Sequence, residues 1–147
     1  MVGRPIAVKG APQPQGAYSQ GIVAGGFVFV SGQGPLDAST GSVVGSTVAE
    51  QVVAVFKNVK AILAARGLAL DDVVKVNAYL QDIGAFHEYD KVYREVFRPP
   101  FPARTTVGAA LHGILVEVDV IAKDRGGTSS RAKRRTRREH NQQQSAQ

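Results

Sequence analysis

The chain has 147 residues, a formal net charge of +6 and no cysteine. This length fits a single domain. The lack of cysteine excludes disulfides, thiol catalysis and thiolate metal sites. No apolar run approaches the roughly 18 residues of a membrane helix, and residues 1–6 lack the apolar segment of a secretory signal. A soluble cytoplasmic protein is therefore the expectation.

The excess of positive charge lies in the C-terminal tail. Residues 1–122 carry ten basic and ten acidic side chains, whereas residues 123–147 carry eight basic and two acidic ones. The Gly-, Ser- and Thr-rich stretch 126–130 and the basic cluster 131–138 cannot bury a core. We therefore expect a neutral domain over residues 1–122 and a basic, disordered tail over residues 123–147.

Two helices are predicted from apolar residues that recur at helical spacing. The first covers Thr47–Arg66, and it starts with a threonine and Glu50 at the spacing of a capping box. Gly67 follows as the expected C-terminal glycine. The second covers about Ala85–Phe97 and ends before Pro99.

Five strands are predicted from the remaining apolar segments, and a turn at Ala24–Gly26 makes the first two a hairpin. The order strand, strand, helix, strand, helix, strand, strand is typical of an α+β fold. Two helices are expected to cover one face of a mixed β-sheet. The predicted strands are Ala17–Val23, Phe27–Ser31, Val73–Leu80, Thr105–Ala110 and Leu115–Ala122.

Two charged side chains, one just before the fourth predicted strand and one within the fifth, indicate chemistry. Arg104 is suited to a planar carboxylate, because guanidinium donates two parallel hydrogen bonds to it. Glu117 is flanked by apolar residues, where an unpaired buried charge is costly. The pair suggests a small pocket for an organic acid, although Arg104 alone would more often be a salt-bridge partner at a strand edge and Glu117 alone would more often face solvent. Whether the two meet depends on strand register, because alternate residues face opposite sides of a sheet.

Six short motifs share their order and spacing with one known family. They are Gly16–Gln20, Val30–Gln33, Asn58–Leu63, Val74–Leu80, Pro102–Thr105 and Val116–Val118. In this arrangement the chain resembles the RidA/YjgF family of reactive-intermediate deaminases. The resemblance covers about residues 5–122.

The resemblance implies a chorismate-mutase-like α+β subunit that assembles as a homotrimer, with three sites in the clefts between subunits. It implies hydrolysis of 2-enamine and 2-imine acids, such as 2-aminoacrylate, 2-iminobutanoate and 2-iminopropanoate, to 2-keto acids and ammonia. This activity protects pyridoxal-phosphate enzymes from the imines. It requires no cofactor.

The resemblance also assigns roles to individual residues. Arg104 matches the family's carboxylate-binding arginine, and Glu117 matches its water-orienting glutamate. Tyr18 and Ser31 match a tyrosine and a serine of the site, where their hydroxyls position substrate or water. The imine carbon is already electrophilic, so a water placed by Glu117 as orienter or general base is sufficient. Partial burial would raise the pKa of Glu117 and let it return a proton to the departing ammonia.

Two further positions bind substrate by the same resemblance, and three depart from the family pattern. Thr106 stands where many deaminases have a cysteine, at a contact made by the backbone, and Gly32 lets the chain pass close to the ligand. Ala17 replaces a proline, Asp90 replaces an asparagine of the second helix, and Leu111-His112 replaces Leu-Pro. The departures bear on substrate preference more than on the chemistry.

Two other functions compete with the deaminase. One is RNA binding or cleavage, as in a translation inhibitor, with weak nonspecific contact through the basic tail; the neutral domain disfavours it. The other is a noncatalytic small-acid sensor or chaperone on the same scaffold. A metal site is not expected, because His87 and His112 lack metal-ligand spacing.

Overall fold

The computed structural model describes residues 2–126, which form a six-stranded sheet with two helices against one of its faces. The elements in chain order are β1 Arg4–Ile6, β2 Gly21–Ala24, β3 Phe27–Gln33, α1 Val48–Ala64, β4 Val73–Leu80, α2 Phe86–Val96, β5 Ala103–Gly108 and β6 Val116–Lys123. The strands lie in the order β1-β2-β3-β6-β4-β5. β4 and β5 are parallel and the other neighbours are antiparallel. The predicted α+β fold, with a mixed sheet and two helices on one face, is confirmed.

The first helix was predicted over Thr47–Arg66; it begins one residue later, with Thr47 as its N-cap, and ends two residues earlier, at Ala64. The hydroxyl of Thr47 accepts a hydrogen bond from the backbone N–H of Glu50 (3.2 Å), as an N-cap should. The Glu50 carboxylate accepts from the N–H of Ser46, one residue earlier than a capping box requires. Gly67 follows the helix with a φ of +71°, a conformation that glycine adopts without strain.

The core lies between the helices and one face of the sheet. In β6 every second residue is buried, because successive side chains of a strand point to opposite faces. The aromatic rings of α2 join this core next to Phe56 of α1. The fully buried core side chains include Val28, Val52, Val55, Phe56, Val59, Ile62, Leu63, Val76, Leu80, Tyr89, Val116 and Val118.

The opposite face of the sheet, called the open face below, carries polar and apolar side chains together. The strand register places Tyr79 of β4 between Val107 and Glu117 on this face. Phe29 and Val107 are 43% and 42% exposed there. Within residues 2–126 no helix packs on the open face. It is therefore a mixed surface with large apolar groups in contact with solvent.

At the N-terminal end one predicted boundary was wrong and one strand was not predicted. The strand expected over Ala17–Val23 begins only at Gly21, because the preceding residues form a loop in which the N–H of Tyr18 bonds to Gly16. The strand Arg4–Ile6 was not predicted, and it pairs antiparallel with β2. Three residues are too few for a periodic signal.

The described structure continues past residue 122, where the domain was expected to end. Lys123 belongs to β6, and Asp124 forms an ion pair with Arg66 at 3.0 Å. The predicted disordered tail otherwise lies outside the described residues.

Candidate active site

Arg104 points to the helix side of the sheet. It lies beside the buried Val76 of β4, and its guanidinium carbon is 4.5 Å from the ring centre of Tyr93, 5.4 Å from that of Phe86 and 5.5 Å from that of Tyr89. Cations are attracted to aromatic faces at such distances. The three rings of α2 thus hold the guanidinium in place.

A carboxylate already accompanies this cation. Nη1 of Arg104 donates to Oδ1 of Asp90 at 2.8 Å, and Nε of Arg94 donates to Oδ2 of the same group at 3.0 Å. The hydrogen bond from Arg104 is the main reason why the pKa of Asp90 lies below its ordinary value. Next to this group is a cavity of about 230 Å³, the Arg104 cavity, lined by Asp90, Tyr93, Arg94, Phe101, Pro102 and Arg104.

Glu117 points to the open face and borders a second cavity. Burial, and to a lesser degree the nearby Asp119 carboxylate, raise the pKa of Glu117 above its ordinary value. A raised pKa was expected from the sequence, because apolar residues flank Glu117 on both sides. The cavity has a volume of about 460 Å³. The Glu117 cavity, as we call it, is lined among others by Gln15, Tyr18, Gly32, Leu36, His112 and Glu117.

The raised pKa gives a testable effect on stability. A carboxyl whose pKa is higher in the folded than in the unfolded chain costs stability once it ionises, so that stability falls as pH rises through the folded pKa. Glu117→Gln is therefore expected to raise the melting temperature at about pH 7 and to leave it unchanged below about pH 3, where the carboxyl is protonated in the folded and in the unfolded chain. Thermal unfolding as a function of pH tests this, with the exposed Glu95→Gln as the control. A lower melting temperature of Glu117→Gln at neutral pH would contradict it.

Gly32 lies against the Glu117 carboxyl. A Cβ atom at position 32 would stand 2.9 Å from Oε1 of Glu117 and 3.1 Å from its Cδ. The close approach predicted for this glycine is therefore made to the glutamate, and any larger residue would displace the carboxylate.

The remaining predicted site residues surround these two groups. Tyr18 is half-exposed, and its hydroxyl accepts from the N–H of Gln15 (3.2 Å) at the edge of the Glu117 cavity. Ser31 donates to the carbonyl of Ser19 (2.6 Å) and so braces the loop that carries Tyr18. Thr106 shares the side of Arg104. Ser31 and Thr106 line neither the Arg104 cavity nor the Glu117 cavity.

Within one chain the predicted residues thus form two separate groups. Tyr18, Gly32 and Glu117 line a cavity that opens on one face of the sheet, and Arg104 lines a cavity on the other. β4 lies between the strands that carry Arg104 and Glu117. A single small acid cannot touch both side chains of the same chain.

Three buried amide side chains, which the sequence reasoning did not single out, fix the walls of the Glu117 cavity. Gln20 bonds to backbone atoms of residues 8–12, and Asn58 donates to the carbonyls of Gly34 and Leu36. Gln51 donates to Gly45 and accepts from the N–H of Leu115. The signal was present for Gln51 and Asn58, because both interrupt the apolar stripe of α1.

A second unpredicted network lies beside Glu117 on the open face. The Asp119 carboxylate accepts from Nδ2 of Asn77 and from the hydroxyl of Tyr79, each at 2.9 Å. The hydrogen bond from the Tyr79 hydroxyl to Asp119 is the main reason why the pKa of Tyr79 is raised. Asp119 is itself half-buried, so its carboxylate belongs to this network and not to the solvent-exposed surface.

The described residues offer neither a metal cluster nor a membrane span. Among residues 2–126 no three His, Asp or Glu side chains are grouped so that they would hold a metal ion. In the same residues no helix has the length and apolarity needed to cross a membrane.

Comparison with known proteins places these features in context. Residues 8–124 match the model of the family described as Endoribonuclease L-PSP. The chain is 43% identical to a RutC family protein of Saccharolobus solfataricus, over 80% of this chain and 95% of that protein. It is 39% identical to the 2-iminobutanoate/2-iminopropanoate deaminase of Dermatophagoides farinae, over 73% and 84% of the two chains. The crystal structure of RidA from an Antarctic Psychrobacter superposes with a TM-score of 0.77 at 34% identity, covering 82% of this chain and 98% of that one.

Proposed function

This chain belongs to the family described as Endoribonuclease L-PSP, the RidA/YjgF family, and we propose that it is an imine deaminase. Its substrates are 2-enamine and 2-imine acids, such as 2-aminoacrylate, 2-iminobutanoate and 2-iminopropanoate. Its products are 2-keto acids and ammonia, and the activity protects pyridoxal-phosphate enzymes. A cytoplasmic location stays a prediction.

The observation that supports this proposal most is the partly buried position of the Glu117 carboxyl. Its carboxyl lies in a cavity beside Tyr18 and Gly32, and its pKa is raised by burial. A carboxyl whose pKa is raised by burial is a better proton acceptor and suits proton exchange with water. The relative that is named a 2-iminobutanoate/2-iminopropanoate deaminase supports the choice of substrate.

The active site is proposed to form between copies of the chain in a homotrimer. Arg104 and Glu117 point to opposite faces of one sheet, so Arg104 of one subunit has to meet Glu117 of a neighbour. The open face carries exposed apolar groups, including Phe29 and Val107, and contact with a second copy would remove them from water.

The reaction then needs only water. Arg104 binds the substrate carboxylate, and Glu117 accepts a proton as water adds to the imine carbon. The C=N bond becomes a C–N single bond, and Glu117 passes the proton it took from water to the nitrogen, which gives the carbinolamine. The hydroxyl proton of the carbinolamine then moves through Glu117 to the nitrogen as the C=O bond forms, and the C–N bond breaks to release ammonia. The sum is one imine and one water converted to one keto acid and one ammonia.

The experiment that tests the proposal traps imines with semicarbazide. 2-Iminobutanoate and 2-iminopropanoate are generated by an amino-acid oxidase, and the protein should suppress formation of the semicarbazone. Unchanged semicarbazone formation would reject the deaminase for these substrates. Binding of 2-ketobutyrate without suppression would favour the small-acid sensor instead.

Mixing of inactive variants tests the shared site. Arg104→Ala and Glu117→Gln subunits are unfolded together and refolded in equal amounts. Each mixed trimer would then have one site in three, or about a quarter of all sites in the mixture, that combines an intact Arg104 with an intact Glu117. Recovery of about that fraction of activity supports the intersubunit site, and no recovery despite formation of mixed trimers contradicts it.

Gly32→Ala is expected to lower kcat of imine hydrolysis by about 10²-fold, because small displacements of a reacting group have effects of that size. The added Cβ meets the movable end of Glu117, so the melting temperature should stay nearly constant. Gly10→Ala is the control, because its Cβ would meet only Ala61 at an ordinary 3.5 Å. Wild-type kcat in Gly32→Ala would show that the position of the carboxylate does not matter.

RNA binding remains the second candidate, favoured by the family's description as an endoribonuclease and by the basic cluster 131–138. In the described residues Arg66, Arg94, Arg98, Arg104 and Arg125 are each paired with an aspartate, which reduces the positive charge that they could offer to phosphate. Deletion of residues 127–147 separates the two functions. Imine hydrolysis should survive, whereas nucleic-acid affinity should vanish.

A further inference from the structure

The group that is proposed to bind the substrate carboxylate already holds a carboxylate of its own chain. Asp90 and Arg104 form a hydrogen-bonded ion pair at 2.8 Å, and their side chains are 18% and 20% exposed. Burial of this degree leaves the pair only partly screened by solvent. An incoming acid therefore meets a guanidinium whose charge is largely balanced.

A second arginine, Arg94, makes it easier for a ligand carboxylate to replace that of Asp90 at Arg104. Asp90 uses Oδ1 for Arg104 and Oδ2 for Arg94, so it keeps one partner if it loses the other. Arg94 is 66% exposed and lines the same cavity. Arg94, Arg104 and Asp90 together carry a net charge of +1, which one further carboxylate would neutralise.

We propose that Asp90 is a specificity-determining residue that sets the carboxylate affinity of Arg104 by competing with the ligand. When the ligand binds, Asp90 gives up its hydrogen bond to Arg104 and stays paired with Arg94. The inference rests on the proposed function, because it concerns the same cavity. Substrate and product both carry the carboxylate, so weaker binding affects them equally and raises KM without lowering kcat. The consequence is easier release of the 2-keto acid product.

The direct test is the affinity for 2-ketobutyrate, measured by isothermal titration calorimetry. Asp90→Asn keeps the shape and one acceptor oxygen but removes the competing charge. We expect its Kd to fall about tenfold, which is in the usual range for one charge pair of partial exposure. Glu95→Gln removes the same charge from an exposed position of α2 and should leave Kd unchanged. The uncharged 2-ketobutyramide should gain nothing from Asp90→Asn.

A second test distinguishes an Arg94 that acts by holding Asp90 from an Arg94 that contacts the ligand directly. Arg94→Gln leaves Asp90 with Arg104 alone, so Kd for 2-ketobutyrate should rise about threefold, and this effect should disappear in the Asp90→Asn background. Arg98→Gln is the matched control, since Arg98 pairs with Asp71 on the surface. An equal rise in both backgrounds would overturn the exchange.

Outcomes for the inference and for the proposed function are distinguishable. If imines are not hydrolysed but Asp90→Asn still binds 2-ketobutyrate more tightly, the inference holds and the deaminase fails. An unchanged or higher Kd in Asp90→Asn at an unchanged melting temperature overturns the inference. Should Asp90→Asn not fold, Asp90→Ser is measured in its place with the same expectation. In an active enzyme, KM and the inhibition constant of 2-ketobutyrate should fall together at constant kcat.

Discussion

Replacement of Glu117 by glutamine is expected to lower kcat of imine hydrolysis by about 10²- to 10⁴-fold, the usual contribution of a positioned acid or base. Glutamine has the size of glutamate and fits beside Gly32, but it cannot take a proton from water. KM should change little, because the substrate carboxylate binds elsewhere. Initial rates from the semicarbazide assay give both constants.

A neighbouring carboxylate provides the control for this variant. Asp119 lies two residues further along β6 on the same face and is bonded to Asn77 and Tyr79. Asp119→Asn should therefore retain most of the activity. Equal kcat values for the wild type and Glu117→Gln would remove Glu117 from the mechanism.

Replacement of Arg104 by alanine is expected to lower kcat/KM by about 10²- to 10⁴-fold. The estimate follows from two charge-assisted hydrogen bonds of about 1.5–3 kcal/mol each and about 1.4 kcal/mol per factor of ten. Arg104→Lys keeps the charge but loses the two parallel bonds, so it should recover only part of the loss. Steady-state kinetics with 2-iminobutanoate measures both variants.

The fold has to be checked in this case, because Arg104 also lies against three aromatic rings and Asp90. Thermal unfolding and the oligomeric state of each variant serve that purpose. Arg98→Ala removes an arginine whose ion pair is exposed and should leave kcat/KM unchanged. An Arg104→Ala variant that is folded and fully active would show that another group binds the carboxylate.

The secondary structure was largely predictable because its signals are local. The apolar periodicity of α1 and the alternation of β4 and β6 are properties of adjacent residues, and β4 was predicted with its observed ends, Val73–Leu80. The loop before Gly21 was mistaken for strand because its conformation depends on bonds to distant residues. Ser31 and Gln20 supply those bonds, and their partners are not encoded in any short window.

The geometry of the candidate site was less predictable. Arg104 and Glu117 were found by residue type and by resemblance, but their faces depend on how β5 and β6 pair with β4. That register involves residues far apart in the chain. The Asp90–Arg104 pair was missed for the same reason, although Asp90 lies one turn after Phe86 on a helix with an aromatic stripe. Sequence alone thus identified the groups and left open which of them share a cavity.

The buried amides have a consequence for how the molecule responds to its surroundings. Gln20, Gln51 and Asn58 carry no charge at any ordinary pH, and bonds between neutral groups are insensitive to ionic strength. The loops that they hold should therefore keep their shape in acid and in concentrated salt. The corner between α2 and β5 depends on paired charges, and either condition weakens it. The loops around the Glu117 cavity are thus held by neutral groups, whereas the stability of the corner between α2 and β5 depends on pH and on salt concentration.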